Sequence, residues 1–293
     1  MAAELILIGM GPGNIQGMTI EALEAAKSAD IRRYEAYTAL WSDSDLKELE
    51  ENIGIIDRIM RPEVENPKEL LELASEKVVA LLIVGDPLQA TTHVDLQLQA
   101  EERGVRCRVI HGISITNLVT GAIGLSNYRF GRQTTLTYPY HGWIATSPLE
   151  VVAVNRAQGL HTLVLLDLDP TGEGVGNQRP MQPVDIVQSI NSMAEKMLGA
   201  YREGENMRAN MLDGRINDTT FELMKREACT DLLNCLDSLS FVLCTDMGTN
   251  NQRISLHSIS TLAQAKEGGM HCLVIPAEVE EVESRALTRW SKV

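Results

Sequence analysis

Residues 5–14 read LILIGMGPGN and residues 78–87 read VVALLIVGDP. In each, an unbroken aliphatic run stops at glycine, the pattern of a strand buried on both faces that ends in a tight turn. After the first comes TIEALEAAKSAD, which has helical spacing and good helix formers. After the second, Val94 to Arg103 resume a helical pattern closed by Gly104, and Val105 to Ile110 give a third strand. This alternation predicts an α/β protein with mostly parallel pairing and helices on both faces, because a parallel crossover needs a dozen or more residues. Ligands of such sheets sit at the C-terminal strand ends. The glycine loop at 9–13 and the GDP tripeptide at 85–87 lie there.

The segment SITNLVTGAIGLSNYRFG starts from an N-capping Ser114 and continues as a small-residue helix, which suggests the passage into a second domain. The expected division is 1–111 and 112–293. Further strands are predicted at Thr134 to Tyr138, His161 to Leu168, Phe241 to Thr245 and Cys272 to Ile275, with helices near 148–157 and 218–235. Between them, DPTGEGVGNQRPMQP (169–183) concentrates proline, glycine and polar residues and reads as a loop, either a plain connector or a lid.

Composition narrows the function classes. The 293 residues are 44% hydrophobic and 23% charged, enough apolar surface to bury real cores without staples. A net charge of −14 argues against a nucleic-acid backbone as main partner, which would need a clustered positive surface. Five cysteines, an odd number with no C-x-x-C pair, suggest reduced thiols in the cytoplasm and no metal site. The start MAAELILIGMGPG has no basic region and only a short apolar run, so it reads as a strand rather than a signal peptide, and no stretch is long enough to span a membrane.

A glycine turn after a first strand invites a dinucleotide reading, but that reading is weak. Asn14 stands where G-x-G-x-x-G would place its third glycine, Pro12 stiffens the loop, and no clear acid closes a second strand about twenty positions on. Asp86 could accept ribose or amino hydrogen bonds, or simply cap the turn before Pro87. His93 follows two threonines at a helix start, where capping and packing explain it as well as a base role does. Tyr34, Glu35 and Tyr37 form a polar-aromatic cluster that could line an acceptor site and face a developing ammonium, or pack in the core.

Taken together, LILIGMGPGN, YEAYTAL (34–40), VGDPLQATTHVDL (84–96), HGISITN (111–117), YRFG (128–131) and GLHTLVLLDLD (159–169) resemble the diphthine synthase family of tetrapyrrole methylases in order and spacing. TDMGT (245–249) and HCLVIP (271–276) continue the likeness more weakly. The resemblance implies two α/β/α domains with a cofactor cleft between them, S-adenosylmethionine as cofactor, and usually a homodimer. It also implies methylation of the amino group of a modified histidine on translation elongation factor 2, an intermediate of diphthamide synthesis. For individual residues, it implies cofactor contacts from Pro12, Asp86, Gln89, Ser114 and Ile115. In the second domain it points to Leu166, Asp167, Thr245, Asp246 and His271.

Methyl transfer to an amine needs alignment more than a base. Positioning can supply about 7–11 kcal/mol, and an amine with a pKa of about 7.7–8 is handicapped by only about 1 kcal/mol at neutral pH. The absence of an obvious base is therefore compatible with this chemistry. Three rival readings stay open. The loop GMGPG is nearer to corrin-pathway methylases, which keeps a precorrin methyltransferase in view. The others are a non-catalytic module that binds a translation factor, and a nucleotide-binding oxidoreductase.

Overall fold

A computed structural model describes residues 2–291 except 177, 209–215 and 267, with side chains of 201–221 also left aside. The chain divides into two units. The first comprises Met1–Val119, Thr171–Arg179 and Asp246–Gln252, and the second Thr120–Pro170, Pro180–Thr245 and Arg253–Val293.

The first unit is built in chain order from β1 (Glu4–Gly9), α1 (Ile20–Ser28), β2 (Ile31–Glu35), α2 (Asp43–Ile53), β3 (Asp57–Ile59), α3 (Arg61–Glu65), α4 (Lys68–Glu76), β4 (Val78–Ile83), α5 (His93–Glu102), β5 (Cys107–Ile110) and the start of α6 (Ile115–Ala122). Its five strands lie in the order β3-β2-β4-β1-β5, all parallel. Every residue of β1 and β4 is buried. Successive side chains of β1 serve opposite faces, as the period of two requires. Ile6 and Ile8 pack with α1 and α2, while Leu5 and Leu7 pack with α4 and α5. Helices on both faces of a parallel sheet are as expected. The sequence reading missed β2 and β3.

The second unit contains β6 (Thr134–Leu136), α7 (Ser147–Ala157), β7 (Thr162–Leu166), α8 (Pro183–Arg208), α9 (Ile216–Cys235), β8 (Phe241–Thr245), β9 (Arg253–His257), α10 (Ile259–Leu262), β10 (His271–Ile275) and α11 (Glu281–Thr288). Its core joins Leu136, Val164, Phe241, Leu243 and Leu273 to Leu149 and Val152 of α7 and to Ile186, Ile190 and Met193 of α8. Here the expectation of mostly parallel pairing is corrected. The order is β6-β7-β10-β8-β9 and only β6 with β7 is parallel. The seven residues 246–252 between β8 and β9 are too few for a crossover, so the chain doubles back as an antiparallel pair.

Candidate active site

Three glycines separated by a hundred residues of sequence meet at the C-terminal ends of neighbouring strands of the first sheet. Gly9 ends β1, Gly85 follows β4 and Gly112 follows β5. A Cβ on Gly9 would lie 2.4 Å from the Gly112 nitrogen, and one on Gly112 would lie 2.2 Å from the Gly85 carbonyl oxygen. Only hydrogen fits between these backbones. Gly11 and Gly85 exchange both backbone hydrogen bonds, at 3.1 and 2.8 Å, so the glycine loop is tied to the GDP loop.

The TDMGT turn belongs to this unit as well. Gly248 sits so close to Pro12 that a Cβ would stand 2.3 Å from the proline Cγ, and Asn14 Nδ2 donates to the Gly248 carbonyl at 3.5 Å. Asn14 Oδ1 also accepts from the Gly17 N–H at 3.0 Å. The residue that breaks the dinucleotide fingerprint thus has a structural task of its own.

Asp86 is 7% exposed and its carboxylate joins two loops. Oδ1 accepts the Leu88 N–H at 2.9 Å, closing the turn over Pro87. Oδ2 accepts the Gly112 N–H at 3.3 Å and pairs with His111 Nδ1 at 2.8 Å. His111, which sequence reasoning passed over, keeps 71% of its side chain exposed beside this cluster. Its only signal was its place in HGIS immediately before a glycine. Gln89 is exposed, Pro12 and Ile115 are half-buried, and buried Ser114 accepts from Thr116 Oγ1 at 2.9 Å at the start of α6. Pro12, Asp86, Gln89, Ser114 and Ile115 are therefore gathered at one end of one sheet.

The YEAYT residues and His93 also come together, but as buried groups. Tyr34, Glu35, Tyr37 and His93 are 1%, 0%, 6% and 1% exposed. Tyr34 Oη accepts the Trp41 N–H at 3.0 Å, and Trp41 Nε1 donates to the Gly11 carbonyl at 3.4 Å, linking this turn to the glycine loop. Burial raises the Tyr34 hydroxyl to about 12 and the Glu35 carboxyl to about 7, while it lowers His93. A second strand does end on an acid after all, Glu35, whose two oxygens accept from the Thr38 N–H and hydroxyl.

The second-unit candidates divide into two places. Leu166 and Asp167 follow one another at the end of β7. Burial pushes the Asp167 carboxyl up, against hydrogen bonds from the backbone N–H groups of Asp169 at 3.0 Å and Tyr138 at 3.3 Å. The Tyr140 hydroxyl also donates to it. Thr245 and His271 face each other across β8 and β10, with Thr245 Oγ1 and His271 Nδ1 2.9 Å apart. Asp246, at φ 47°, opens the TDMGT turn in the first unit and accepts the Thr249 N–H through its carbonyl. No group of metal-holding residues occurs among the described residues, and no described helix is long and apolar enough to cross a membrane.

With these features in place, comparison with known proteins is direct. Residues 4–263 match the Tetrapyrrole (Corrin/Porphyrin) Methylases, and the chain belongs to that family of methyltransferases. Among its relatives within that family are diphthine synthases. That of Halorubrum lacusprofundi is 31% identical over 293 residues, covering 97% of this chain and 95% of its own. That of Methanocella arvoryzae is 40% identical over 168 residues, covering 56% of this chain and 65% of its own length. A crystal structure of diphthine synthase superposes with a TM-score of 0.75 at 27% identity, covering 98% of this chain and 95% of that one.

Proposed function

We propose that this methyltransferase transfers methyl groups from S-adenosylmethionine to the amino group of the modified histidine on translation elongation factor 2, repeating the step on one nitrogen. The observation that carries the reading is the convergence of the glycine loop, the GDP loop and HGIS at one sheet end. It occurs in a chain similar to diphthine synthases along its whole length. Those likenesses also favour a protein acceptor over a tetrapyrrole. A cytosolic homodimer is part of the same proposal.

The residues present suit the cofactor. A carboxylate offers about four acceptor sites, and Asp86 uses three of them within the protein, leaving one for a ribose hydroxyl or an amino group. Gln89 is free to reach solvent, and Ile115 offers an apolar surface to an adenine face. We assign Pro12, Asp86, Gln89, Ser114 and Ile115 to cofactor binding, with Leu166, Asp167, Thr245, Asp246 and His271 from the family likeness. When bound, S-adenosylmethionine supplies a methyl group on a positively charged sulfur. The protein's part is to hold that carbon in line with a neutral amine, so positioning carries most of the rate.

Incubation with labelled S-adenosylmethionine and elongation factor 2 bearing the unmethylated precursor is expected to label the factor. Label passing only to a tetrapyrrole would overturn the acceptor. Asp86→Ala is expected to weaken S-adenosylhomocysteine binding at least tenfold in calorimetry. It is also expected to cost about 1–3 kcal/mol of stability, because the Leu88 and Gly112 N–H groups lose their acceptor. Unchanged affinity would remove Asp86 from the site.

A further inference from the structure

Strands β2 and β4 are neighbours, with Tyr34 paired to Leu82, so the turn after β2 and the GDP loop after β4 leave the sheet side by side. Between them lie two enclosed ionisable side chains, Glu35 and His93. His93 Nδ1 is 3.0 Å from the Pro87 carbonyl and 2.5 Å from Thr91 Oγ1. A carbonyl can only accept, so Nδ1 carries the hydrogen, and in a neutral ring Nε2 is an acceptor. That nitrogen has no hydrogen-bonding partner among the described residues, and Glu35 Oε2 stands 3.8 Å from it. The carboxyl is itself held by Thr38, whose N–H donates to Oε1 at 3.0 Å and whose hydroxyl donates to Oε2 at 2.9 Å.

We propose that Glu35 and His93 are a positioning pair that holds one proton between the turn after β2 and the GDP loop, and that this proton keeps the GDP loop in its cofactor-receiving form. The inference rests on the reading of that loop as a cofactor site. With a hydrogen on Oε2 the carboxyl points a donor at an empty acceptor, and a small approach closes the bond. Without it, a buried carboxylate faces a lone pair. Burial disfavours charge on both partners, so near neutrality the carboxyl is the natural home of the proton.

The other groups facing the pair are few. Tyr34 and Tyr37 flank Glu35 in sequence. Arg61 of α3, stacked over the Tyr37 ring at 5.4 Å, favours the ionised carboxylate and so limits the shift. Glu65 of the same helix acts on Tyr37. Asp86 turns to His111 instead. The loop needs such an anchor, because Ala90 within it is held at φ 57°, a conformation that a residue with a Cβ resists.

Calorimetry with S-adenosylhomocysteine from pH 6 to 9 tests the pair. The wild-type Kd is expected to rise up to tenfold per pH unit above about pH 7, with a proton taken up on binding, as linkage to one site requires. Glu35→Gln carries a fixed amide donor, and is expected to hold Kd within twofold across the range with no proton uptake. His93→Gln is expected to bind more weakly at every pH. A Glu35→Gln profile that follows the wild type would overturn the pairing while leaving the cofactor site intact. No binding by the wild type at any pH would instead overturn the cofactor reading. Nitrogen NMR of the His93 ring decides the pair independently of ligand: Nδ1 protonated and Nε2 changing with Glu35 supports it, and Nε2 protonated throughout overturns it.

Discussion

Gly112→Ala is expected to cost about 3 kcal/mol and to lower the melting temperature by about 6–12 °C, with loss of S-adenosylhomocysteine binding. The added methyl would lie 2.2 Å from the Gly85 carbonyl oxygen and under 3 Å from the Gly9 backbone. Each of those atoms is main chain, and the flanking residues are fixed by the β4-β1-β5 ladder. No side-chain rotation can make room, so the strand ends must part. That would open the site from which the GDP loop is hung. Gly121→Ala is the matching control. It lies in α6 with nothing within 4 Å of a built Cβ, so alanine there is expected to stabilise by up to about 1 kcal/mol. Thermal melts of the two variants side by side check the claim. A Gly112→Ala protein that melts within 2 °C of wild type would mean that the three backbones are not in contact.

That close approach also marks the limit of what the sequence makes legible. The runs at 5–8 and 78–84 announce themselves because both faces of β1 and β4 are buried, and Phe241–Thr245 is expected and found as a strand. Strand β2 hides because its first half is charged. Arg32 spends its guanidinium on the carbonyls of Ala26, Lys27 and Ala29 at the end of α1, and Arg33 pairs with Asp57 on β3. Neither pattern is periodic, since each charge is satisfied by a tertiary partner. Asp86 was legible as a chemical group. That it already clasps Gly112 and His111 was not, because those partners lie 25 and 26 residues away. Likewise the sequence leaves the turn after β2 as either an acceptor lining or core packing, and only the fold shows it enclosed.

The YRFG motif shows how a recognisable motif can serve stability rather than chemistry, and it sets up the second large effect. Glu283 of α11, 5% exposed, accepts four hydrogen bonds. Oε1 takes the Ser126 N–H at 3.0 Å and His161 Nε2 at 3.2 Å, and Oε2 takes Arg129 Nη1 at 2.6 Å and the Glu280 N–H at 3.1 Å. His161 Nδ1 accepts from the Ala277 N–H at 3.1 Å, which leaves its hydrogen on Nε2. Four donors saturate one carboxylate. Glu283→Ala takes this acceptor from all four, and although Arg129 keeps the Gly159 and Glu278 carbonyls, it is expected to cost about 3 kcal/mol. Glu283→Gln recovers little, because its amide turns a donor toward donors.

The pH dependence has one sign. Burial works against the Glu283 charge, but the Ser126, Glu280 and His161 bonds hold its carboxyl below the usual range. Its stability is present above the unfolded carboxylate value of about 4.5 and is lost as pH falls through the folded value. Burial also lowers His161, so the unfolded chain takes up that proton first, and stability declines as pH falls below about 6.5. Melting temperature is therefore expected to fall on acidification in the wild type. Glu283→Ala starts lower and declines at least as steeply between about pH 6.5 and 4.5, because His161 loses the partner that raises it. It declines less steeply below about pH 4.5, where no Glu283 carboxyl remains to be protonated. Parallel curves below about pH 4.5 would mean that this carboxylate holds none of its donors more tightly when ionised. A wild-type decline below about pH 4.5 that the substitution removes would place the hold on the YRFG segment in this one carboxylate.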